Sequence, residues 1–463
     1  MALLSETLDA LGADGKPCRL GLLGGTFDPV HCAHLACAWE AAAALSLDAL
    51  AVLPAGEPVF KKGCCRVPGR MRYEACCEAL REEASARSAL PAFLRHCGLE
   101  AAARVNEVPT CFEASLLEIE RAGDTYTVDT LEVLREHFPA NVELFFLMGQ
   151  DAFASLSRWH RPDRIVRLAQ LVVMTRPGKD ARAEWNIPED ALEMRFLEVT
   201  PLAVSSSLVR SRAYAGASLQ YLVSPCVEKR IRHDVWYGGS NAGACRDAQV
   251  GGSASEHASA CGDAPYSDAF LAECRAKLQA RLKPSRYRHS LGVADTAAQL
   301  ACLYGVDART AETAGLLHDW DKAFSREGIK RHAREVGISE PDDIIEAIPQ
   351  VLHGFTAART LRGEFPVLGA DVLQAIERHT VGSIGMSALD MVVYLADMIE
   401  PGRDFAGVKE LRALVGRVGL PELFFCTVAL SREYLAQDET ALHHPRTEEV
   451  YEYYRQLLAD ATN

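Results

Sequence analysis

Two kinds of periodicity divide the chain. Over the first half, short apolar runs alternate with longer stretches of helical spacing. Residues 20–23 (LGLL), 49–53 (ALAVL), 142–148 (VELFFLM) and 171–174 (LVVM) each lie near a glycine or proline and read as buried strands. Residues 34–45 and 128–137 read as amphipathic helices between them. Alternation of this kind predicts a parallel sheet with helices on both faces, a doubly wound α/β domain. After residue 264 no strand pattern remains. Residues 287–303, 308–319, 387–399 and 447–459 carry helical spacing, and Pro401 closes one of these segments. The second half therefore reads as all-α. Between the halves, residues 238–264 consist almost entirely of Gly, Ala, Ser and scattered polar residues, with Val250 the one sizeable aliphatic. Such a stretch buries too little apolar surface to offset its ordering entropy and reads as a flexible linker. The expected organisation is a domain over 1–237, a linker over 238–264 and a second domain over 265–463.

Composition narrows the partners. The 463 residues are 49% hydrophobic and 24% charged, which excludes wholesale disorder. Lys and Arg total 49 against 63 Asp and Glu, a net charge of −14. That balance opposes a broad nucleic-acid or anionic-membrane surface, although a small basic pocket for a phosphorylated metabolite is compatible with it. No apolar run approaches the roughly 18 residues of a membrane span, and the start, MALLSETLDALGADGK, lacks a basic region followed by a long apolar core. A cytoplasmic protein is expected, with homo-oligomerisation left open. The 15 cysteines are odd in number and form no C-x-x-C pair, so they read as reduced thiols acting as small apolar residues.

The first chemistry follows the first strand. Gly24-Gly25-Thr26-Phe27-Asp28-Pro29-Val30-His31-x-x-His34 leads from that strand into a helix. Paired glycines allow the backbone close to a phosphate, and the free N–H groups of a helix start favour an anion. His31 and His34, three residues apart, share one side of that helix turn. Zinc would need further ligands, and two structural histidines are the plainer alternative; contact with a nucleotide phosphate accounts best for the whole string.

GGTFDPVHxxH resembles the signature of the nucleotidyltransferases that transfer AMP from ATP without a covalent intermediate. More narrowly, residues 18–237 resemble bacterial nicotinate-nucleotide adenylyltransferases, which make deamido-NAD. Supporting strings recur in order. Leu53-Pro54-Ala55-Gly56 precedes Lys61-Lys62, Thr125-Tyr126-Thr127-Val128-Asp129-Thr130-Leu131 is similar to the family's (S/T)YTxDTL, and Gly149-Gln150-Asp151 with Leu156 and Trp159 is similar to GxD…L..W. Arg176-Pro177-Gly178 follows a strand, and Val204-Ser205-Ser206-Ser207-Leu208-Val209-Arg210 is similar to ISSTxxR. The resemblance implies a Rossmann-like fold and magnesium carried with ATP. It implies ATP and phosphate contacts from Gly24, Gly25, Thr26, Phe27, Lys61, Lys62, Gly149, Asp151, Ser205, Ser206 and Ser207, with His31, His34 and Arg210 catalytic. Thr127 and Trp159 would bind the nicotinate mononucleotide, Trp159 by stacking on the pyridine ring. The attacking phosphate is already a nucleophile at neutral pH, so the reaction needs alignment and charge neutralisation, not a general base. Ala33 stands where the family has Gly in HxGH, and Ser207 replaces Thr. Residues 81–110 are longer than the family leads one to expect and read as a surface insertion without an assigned role.

The second half holds seven of the 14 histidines. His289, the adjacent His318-Asp319, His353, His379 and Asp397 lie in apolar helical contexts such as LLHD and YLAD. Buried imidazoles and carboxylates need partners, and a metal satisfies all of them together. The order H…HD…D resembles the HD superfamily of metal-dependent phosphohydrolases. With Leu352-His353-Gly354, Arg378-His379-Thr380 and the string Tyr394 to Arg403, residues 266–425 resemble the HD-domain symmetrical dinucleoside tetraphosphatases. These split diadenosine tetraphosphate into two ADP at a two-metal, typically iron, centre. The resemblance implies Asp319 as the catalytic bridging ligand, His289, His318 and Asp397 on one metal, and His353 with His379 on the other. Lys322 and Arg403 would contact phosphate. Trp320 and Asp321 replace a small apolar pair.

The expected protein is a bifunctional enzyme acting on ATP, nicotinate mononucleotide and a dinucleoside tetraphosphate. Another adenylyltransferase, such as one acting on phosphopantetheine, is the alternative for the first half. For the second, the alternatives are an HD nucleotidase, an alarmone hydrolase or a non-catalytic nucleotide-binding module.

Overall fold

A computed structural model describes residues 6–58, 65–107, 111–121, 123–175, 191–238, 266–436 and 443–460. Lys61, Lys62, Arg176-Pro177-Gly178 and all of the expected linker except Gly238 lie outside the described residues. The chain divides into two compact units, residues 1–92 with 100–244, and residues 93–99 with 245–463. Among the described residues, no helix is long and apolar enough to cross a membrane.

The first unit is built on a six-stranded sheet of β1 (Cys18–Gly25), β2 (Ala49–Pro54), β3 (Cys111–Ala114), β4 (Val142–Gly149), β5 (Gln170–Thr175) and β6 (Met194–Glu198). The order across it is β3-β2-β1-β4-β5-β6, with every neighbouring pair parallel. β2 is buried at all six positions, which explains its unbroken apolar run: a central parallel strand is covered on both faces. β3 and β6, which the apolar pattern does not reveal, are short edge strands, CFEA and MRFLE, and neither has a fully buried residue. Helices α1 (Cys32–Leu45), α2 (Gly69–Arg87), α3 (Thr127–His137) and α4 (Ser206–Tyr214) complete the parts that matter below. The expected surface insertion over 81–110 is largely helical. It holds the end of α2 and the short helices Leu90–His96 and Glu100–Asn106, and Leu90 and Ala103 are buried, as its Ala- and Leu-rich composition favours.

The chain runs from β1 outward to β2 and β3, then returns to β4 on the other side. That reversal opens a crevice beyond the carboxyl ends of β1 and β4, the general ligand position of a doubly wound sheet. The strand ends there are Gly24-Gly25 and Gly149.

The second unit is helical among its described residues: α5 (Asp268–Arg281), α6 (Pro284–Tyr304), α7 (Ala308–Leu317), α8 (Arg326–Glu335), α9 (His353–Glu364), α10 (Ala370–Arg378), α11 (Ala388–Ile399), α12 (Leu420–Ala436) and α13 (Pro445–Asp460). Polar caps set several starts. Asp307 accepts the Thr310 N–H at 2.8 Å ahead of α7, and Ser387 and Asp390 form a reciprocal capping box on α11. Two glycines bring the helices close at the site. A Cβ on Gly315 would meet the Val293 carbonyl and Ala297 Cβ at 3.1 Å, and one on Gly354 would meet the Ile376 carbonyl at 3.0 Å. α7 therefore presses on α6, and α9 on α10.

Candidate active sites

In the first unit, a cleft of about 380 Å³ lies beyond β1 and β4. Gly24, His31, Ala33, His34, Gly149, Asp151 and Trp159 line it from the sequence motifs; Met148, Gln150, Thr200, Leu202 and Val204 line it without having been singled out. His31 is the residue that begins the helical turn, in extended backbone ahead of α1. Its N–H points at His34 Nδ1, 3.3 Å away, and the two rings stack at 3.6 Å between centroids. A neutral His34 accepting through Nδ1 carries its proton on Nε2. Burial, then the neighbouring His34, pushes the His31 pKa well below the ordinary value, so His31 is neutral at physiological pH.

The turn itself is fixed from behind. Phe27 is buried at a positive φ of 48°, with its ring edge-on to His34 at 4.9 Å. A Cβ on Gly25 would collide with that ring at 3.0 Å, so the glycine is required. Asp28, which precedes a cis proline, is buried; it accepts the Tyr237 hydroxyl at 2.7 Å and the Arg66 N–H at 2.8 Å. Arg210 donates to the Asp28 carbonyl at 2.7 Å and to Ser207 Oγ at 3.0 Å. Ser206 donates to the Pro29 carbonyl at 3.0 Å, and Ser205 caps α4 by accepting the Leu208 N–H at 3.2 Å. These four residues thus brace α4 against the turn. Thr127 opens α3 and does not line the cleft. Trp159, held by its Nε1–H to Ser155 Oγ at 3.3 Å, offers an aromatic face to it.

In the second unit, the six sequence-predicted ligands converge from five parts of the chain. His289 lies in α6, His318 and Asp319 follow α7, His353 opens α9, His379 follows α10 and Asp397 ends α11. His289 Nε2 is 3.0 Å from Asp397 Oδ1, His318 Nε2 is 3.5 Å from Asp319 Oδ2, and His353 Nε2 is 3.1 Å from Asp319 Oδ1 and 3.2 Å from His379 Nε2. The outward nitrogens are all engaged. Nδ1 of His318, His353 and His379 lies 2.7, 2.9 and 2.7 Å from the carbonyls of Gly315, Gln350 and Ile376, and Nδ1 of His289 lies 3.1 Å from Glu400 Oε1. Each imidazole therefore turns Nε2 inward. Nε2 of His289 and of His318 is buried without a hydrogen bond of proper geometry.

That pattern fits metal ligation, in which one ring nitrogen binds the ion and the other is fixed by an acceptor. His289, His318 and Asp397 present ligand atoms close enough to share one ion, as do His318, Asp319 and His379. Without an ion the charges rearrange. Burial opposes protonation of His318, yet the adjacent Asp319 and then Asp397 raise its pKa; burial and the neighbouring His318 and His353 push His379 down to about 3. Burial works against ionisation of Asp319 and Asp397 too, but the surrounding His and Arg groups hold both well below the carboxylate range. Lys322 lies 3.2 Å from His353 Nδ1 and Arg403 pairs with Asp397.

Two participants escape the sequence reading. Arg286 donates to Asp319 Oδ2 at 3.0 Å, and Glu400 holds His289. Helical spacing carried the signal: Arg286 is three residues before His289, and Glu400 three after Asp397. In the first unit Asp28, Arg72 and Tyr237 escaped likewise. Trp320 and Asp321 build a buried support, in which Asp321 pairs with Arg281 at 2.7 Å and accepts from Thr360 at 3.0 Å.

Comparison with known proteins is consistent with two parts. The profile of the cytidylyltransferase-like family matches residues 22–212, and that of the HD domain matches residues 286–402. A protein of Corynebacterium kroppenstedtii named probable nicotinate-nucleotide adenylyltransferase is 36% identical over 220 residues, covering 47% of this chain and 90% of its own length. One of the same name from Shouchella clausii is 32% identical over 223 residues, covering 48% of this chain and 98% of its own. Among solved structures, a predicted HD superfamily hydrolase involved in NAD metabolism from Clostridium acetobutylicum is 33% identical, covering 40% of this chain and 97% of its own, with a TM-score of 0.38.

Proposed function

Because the N-terminal half of this chain belongs to the nicotinate-nucleotide adenylyltransferase family, we propose that it transfers AMP from ATP to nicotinate mononucleotide, and that the HD half cleaves dinucleoside tetraphosphates symmetrically. The observation that carries the first reading is the cleft at the ends of β1 and β4, where His31, His34, Gly149, Asp151 and Trp159 meet. The mononucleotide phosphate oxygen bonds to the α-phosphorus of ATP, the bond from that phosphorus to the bridging oxygen breaks, and pyrophosphate leaves. No proton need move. Neutral His31 and His34 act as donors, and the N–H groups around Gly24-Gly25 and at the start of α1 receive negative charge. Magnesium arrives with ATP. Lys61 and Lys62 are further phosphate ligands in this reading, and Trp159 stacks on the pyridine ring.

The convergent Nε2 atoms carry the second reading. His289, His318 and Asp397 would hold one metal ion, Asp319, His353 and His379 the other, with Asp319 shared. Imidazole with carboxylate suits iron, manganese or zinc; iron is the proposed pair. Bound metals would polarise a phosphoryl oxygen and make water acidic enough to attack at neutral pH. Arg286, Lys322 and Arg403 would bind the anhydride oxygens, while Glu400 and the three carbonyls hold the imidazole tautomers. Water oxygen adds to one of the two inner phosphorus atoms, and the central bridging oxygen leaves with ADP.

The test is one preparation assayed twice. With ATP and magnesium, nicotinate mononucleotide should give deamido-NAD and pyrophosphate, and phosphopantetheine should give nothing. With iron or manganese, diadenosine tetraphosphate should give only ADP. AMP with ATP as the products, or preferred hydrolysis of a nucleoside monophosphate or a guanosine alarmone, would replace the second reading. Binding without turnover would make that half a binding module.

A further inference from the structure

The first unit contains a buried cation that the adenylyl-transfer chemistry above does not use. Arg72, in the first turns of α2, is 1% exposed. Its guanidinium donates only to main-chain carbonyls: Nε to Val67 at 3.0 Å, one terminal nitrogen to Thr26 at 2.5 Å, the other to Ala55 at 2.7 Å and Gly56 at 3.2 Å. Thr26 belongs to the Gly24-Gly25 turn, and Ala55-Gly56 follow β2. One planar group thus ties the turn after β1 to the chain after β2. Among the described residues, no carboxylate lies within 4 Å of it.

Carbonyls satisfy the hydrogen bonds of a guanidinium but not its charge. A buried ion left without a counter-charge is costly by several kcal/mol in real proteins, roughly the scale of a whole domain's stability. Asp28, a buried carboxylate, accepts the Tyr237 hydroxyl, and its main-chain carbonyl accepts from Arg210. The charges acting on that hydroxyl are Asp28, Arg210 and Arg72, two cations against one anion. Donation by Arg72 also fixes the peptide units at Thr26 and Gly56, because a carbonyl drawn inward sets the direction of the N–H that follows it.

We propose that Arg72 is a positioning residue for adenylyl transfer, whose buried charge is balanced by the polyphosphate of the bound nucleotide through the two loops it holds. Arg72 touches no substrate. Its effect is on nucleotide binding and on the leaving pyrophosphate, and it rests on the adenylyltransferase reading of the cleft.

Charge and shape separate in three full-length variants, with affinities for magnesium–ATP and for magnesium–pyrophosphate measured by titration calorimetry. Arg72→Lys keeps the charge and loses the fork; Arg72→Gln loses the charge; Asp28→Asn removes that carboxylate's negative charge and keeps one of its two acceptor oxygens. Arg72→Gln should weaken both ligands 10- to 100-fold, Arg72→Lys within about 5-fold of wild type, and Asp28→Asn should tighten pyrophosphate at least 3-fold. Melting temperature without ligand reads the lost carbonyl bonds and should fall alike in the two Arg72 variants. Equal loss of affinity in Arg72→Lys and Arg72→Gln, or wild-type affinity in both, overturns the proposal, as does weaker pyrophosphate binding in Asp28→Asn. Should Arg72→Gln not fold, Arg72→Lys within about 5-fold of wild type together with tighter pyrophosphate binding in Asp28→Asn supports the proposal, and a loss beyond 10-fold in Arg72→Lys or weaker pyrophosphate binding in Asp28→Asn overturns it. A wild-type protein that binds neither ligand would defeat the adenylyltransferase reading instead.

Discussion

The two halves build their candidate sites in opposite ways. In the first, the site lies at strand ends and helix starts, so main-chain N–H groups supply much of the polarity and His31 is kept neutral by burial. Its titratable groups are few. In the second, the site lies inside a helical core, where helix ends press four imidazoles and two carboxylates into one volume and leave His289 and His318 with inward nitrogens unbonded. The first draws its donors from strand ends and helix starts; the second gathers ligand atoms that a cation would join. A parallel sheet offers a ready crevice, whereas a helical bundle must build its site from charged side chains at the cost of burying them.

Separate sites predict separable losses. Asp319→Ala should remove hydrolysis of diadenosine tetraphosphate by roughly 1000-fold or more, since it deletes a carboxylate central to the cluster. Adenylyl transfer by the same preparation should stay within about twofold of wild type, measured by release of pyrophosphate. The converse experiment is His34→Ala, which should lower adenylyl transfer by roughly 100- to 1000-fold and leave hydrolysis unchanged. Loss of both activities in either variant would break the comparison.

Smaller changes sharpen it. Glu400→Gln keeps the shape beside His289 but removes the anion that orients it, so metal affinity should fall by roughly 10- to 100-fold, read by competition with a chelating dye. Trp159→Ala should raise the KM for nicotinate mononucleotide by roughly 10-fold while leaving that for ATP nearly unchanged, because a lost aromatic stacking partner is worth about 1–3 kcal/mol. Steady-state kinetics with each substrate varied in turn checks this.

How far the sequence led differs between the halves for the same physical reasons. Central strands such as 49–54 were legible because a strand covered on both faces is apolar along its length. β3 and β6 were not, since edge strands of four and five residues alternate with charges and lack a buried run. The cleft followed from local strings, with its chemistry concentrated between Gly24 and His34. What braces it did not: Arg72 and Tyr237 meet the turn from 46 and 209 positions away, distances over which no spacing rule operates. In the helical half the cluster of His and Asp was legible because these residues are rare in apolar helices, and Arg286 and Glu400 were overlooked although helical spacing sets them beside members of that cluster. The insertion over 81–110 was read from its length alone; its Ala-rich sequence forms helices with Leu90 and Ala103 buried.

The gentlest probe of the contrast is pH. His31 is buried as a neutral imidazole, with a pKa well below the ordinary 6.5, first through burial and then through His34. In the unfolded chain the same side chain titrates near 6.5, so below that pH the unfolded state binds more protons than the folded one. Stability from this group is therefore fully present above about pH 6.5 and is lost as pH falls through the window beneath it, at up to about 1.4 kcal/mol per pH unit. The melting transition should move down between pH 7.5 and pH 5.5 in wild type and move less in His31→Asn, which cannot take up a proton. Saturating ATP should not abolish that difference, since the nucleotide binds a turn that the protonated ring would disturb. A transition that shifts equally in both proteins would show that His31 is not held neutral, and the first half would lose the feature that most separates it from the second.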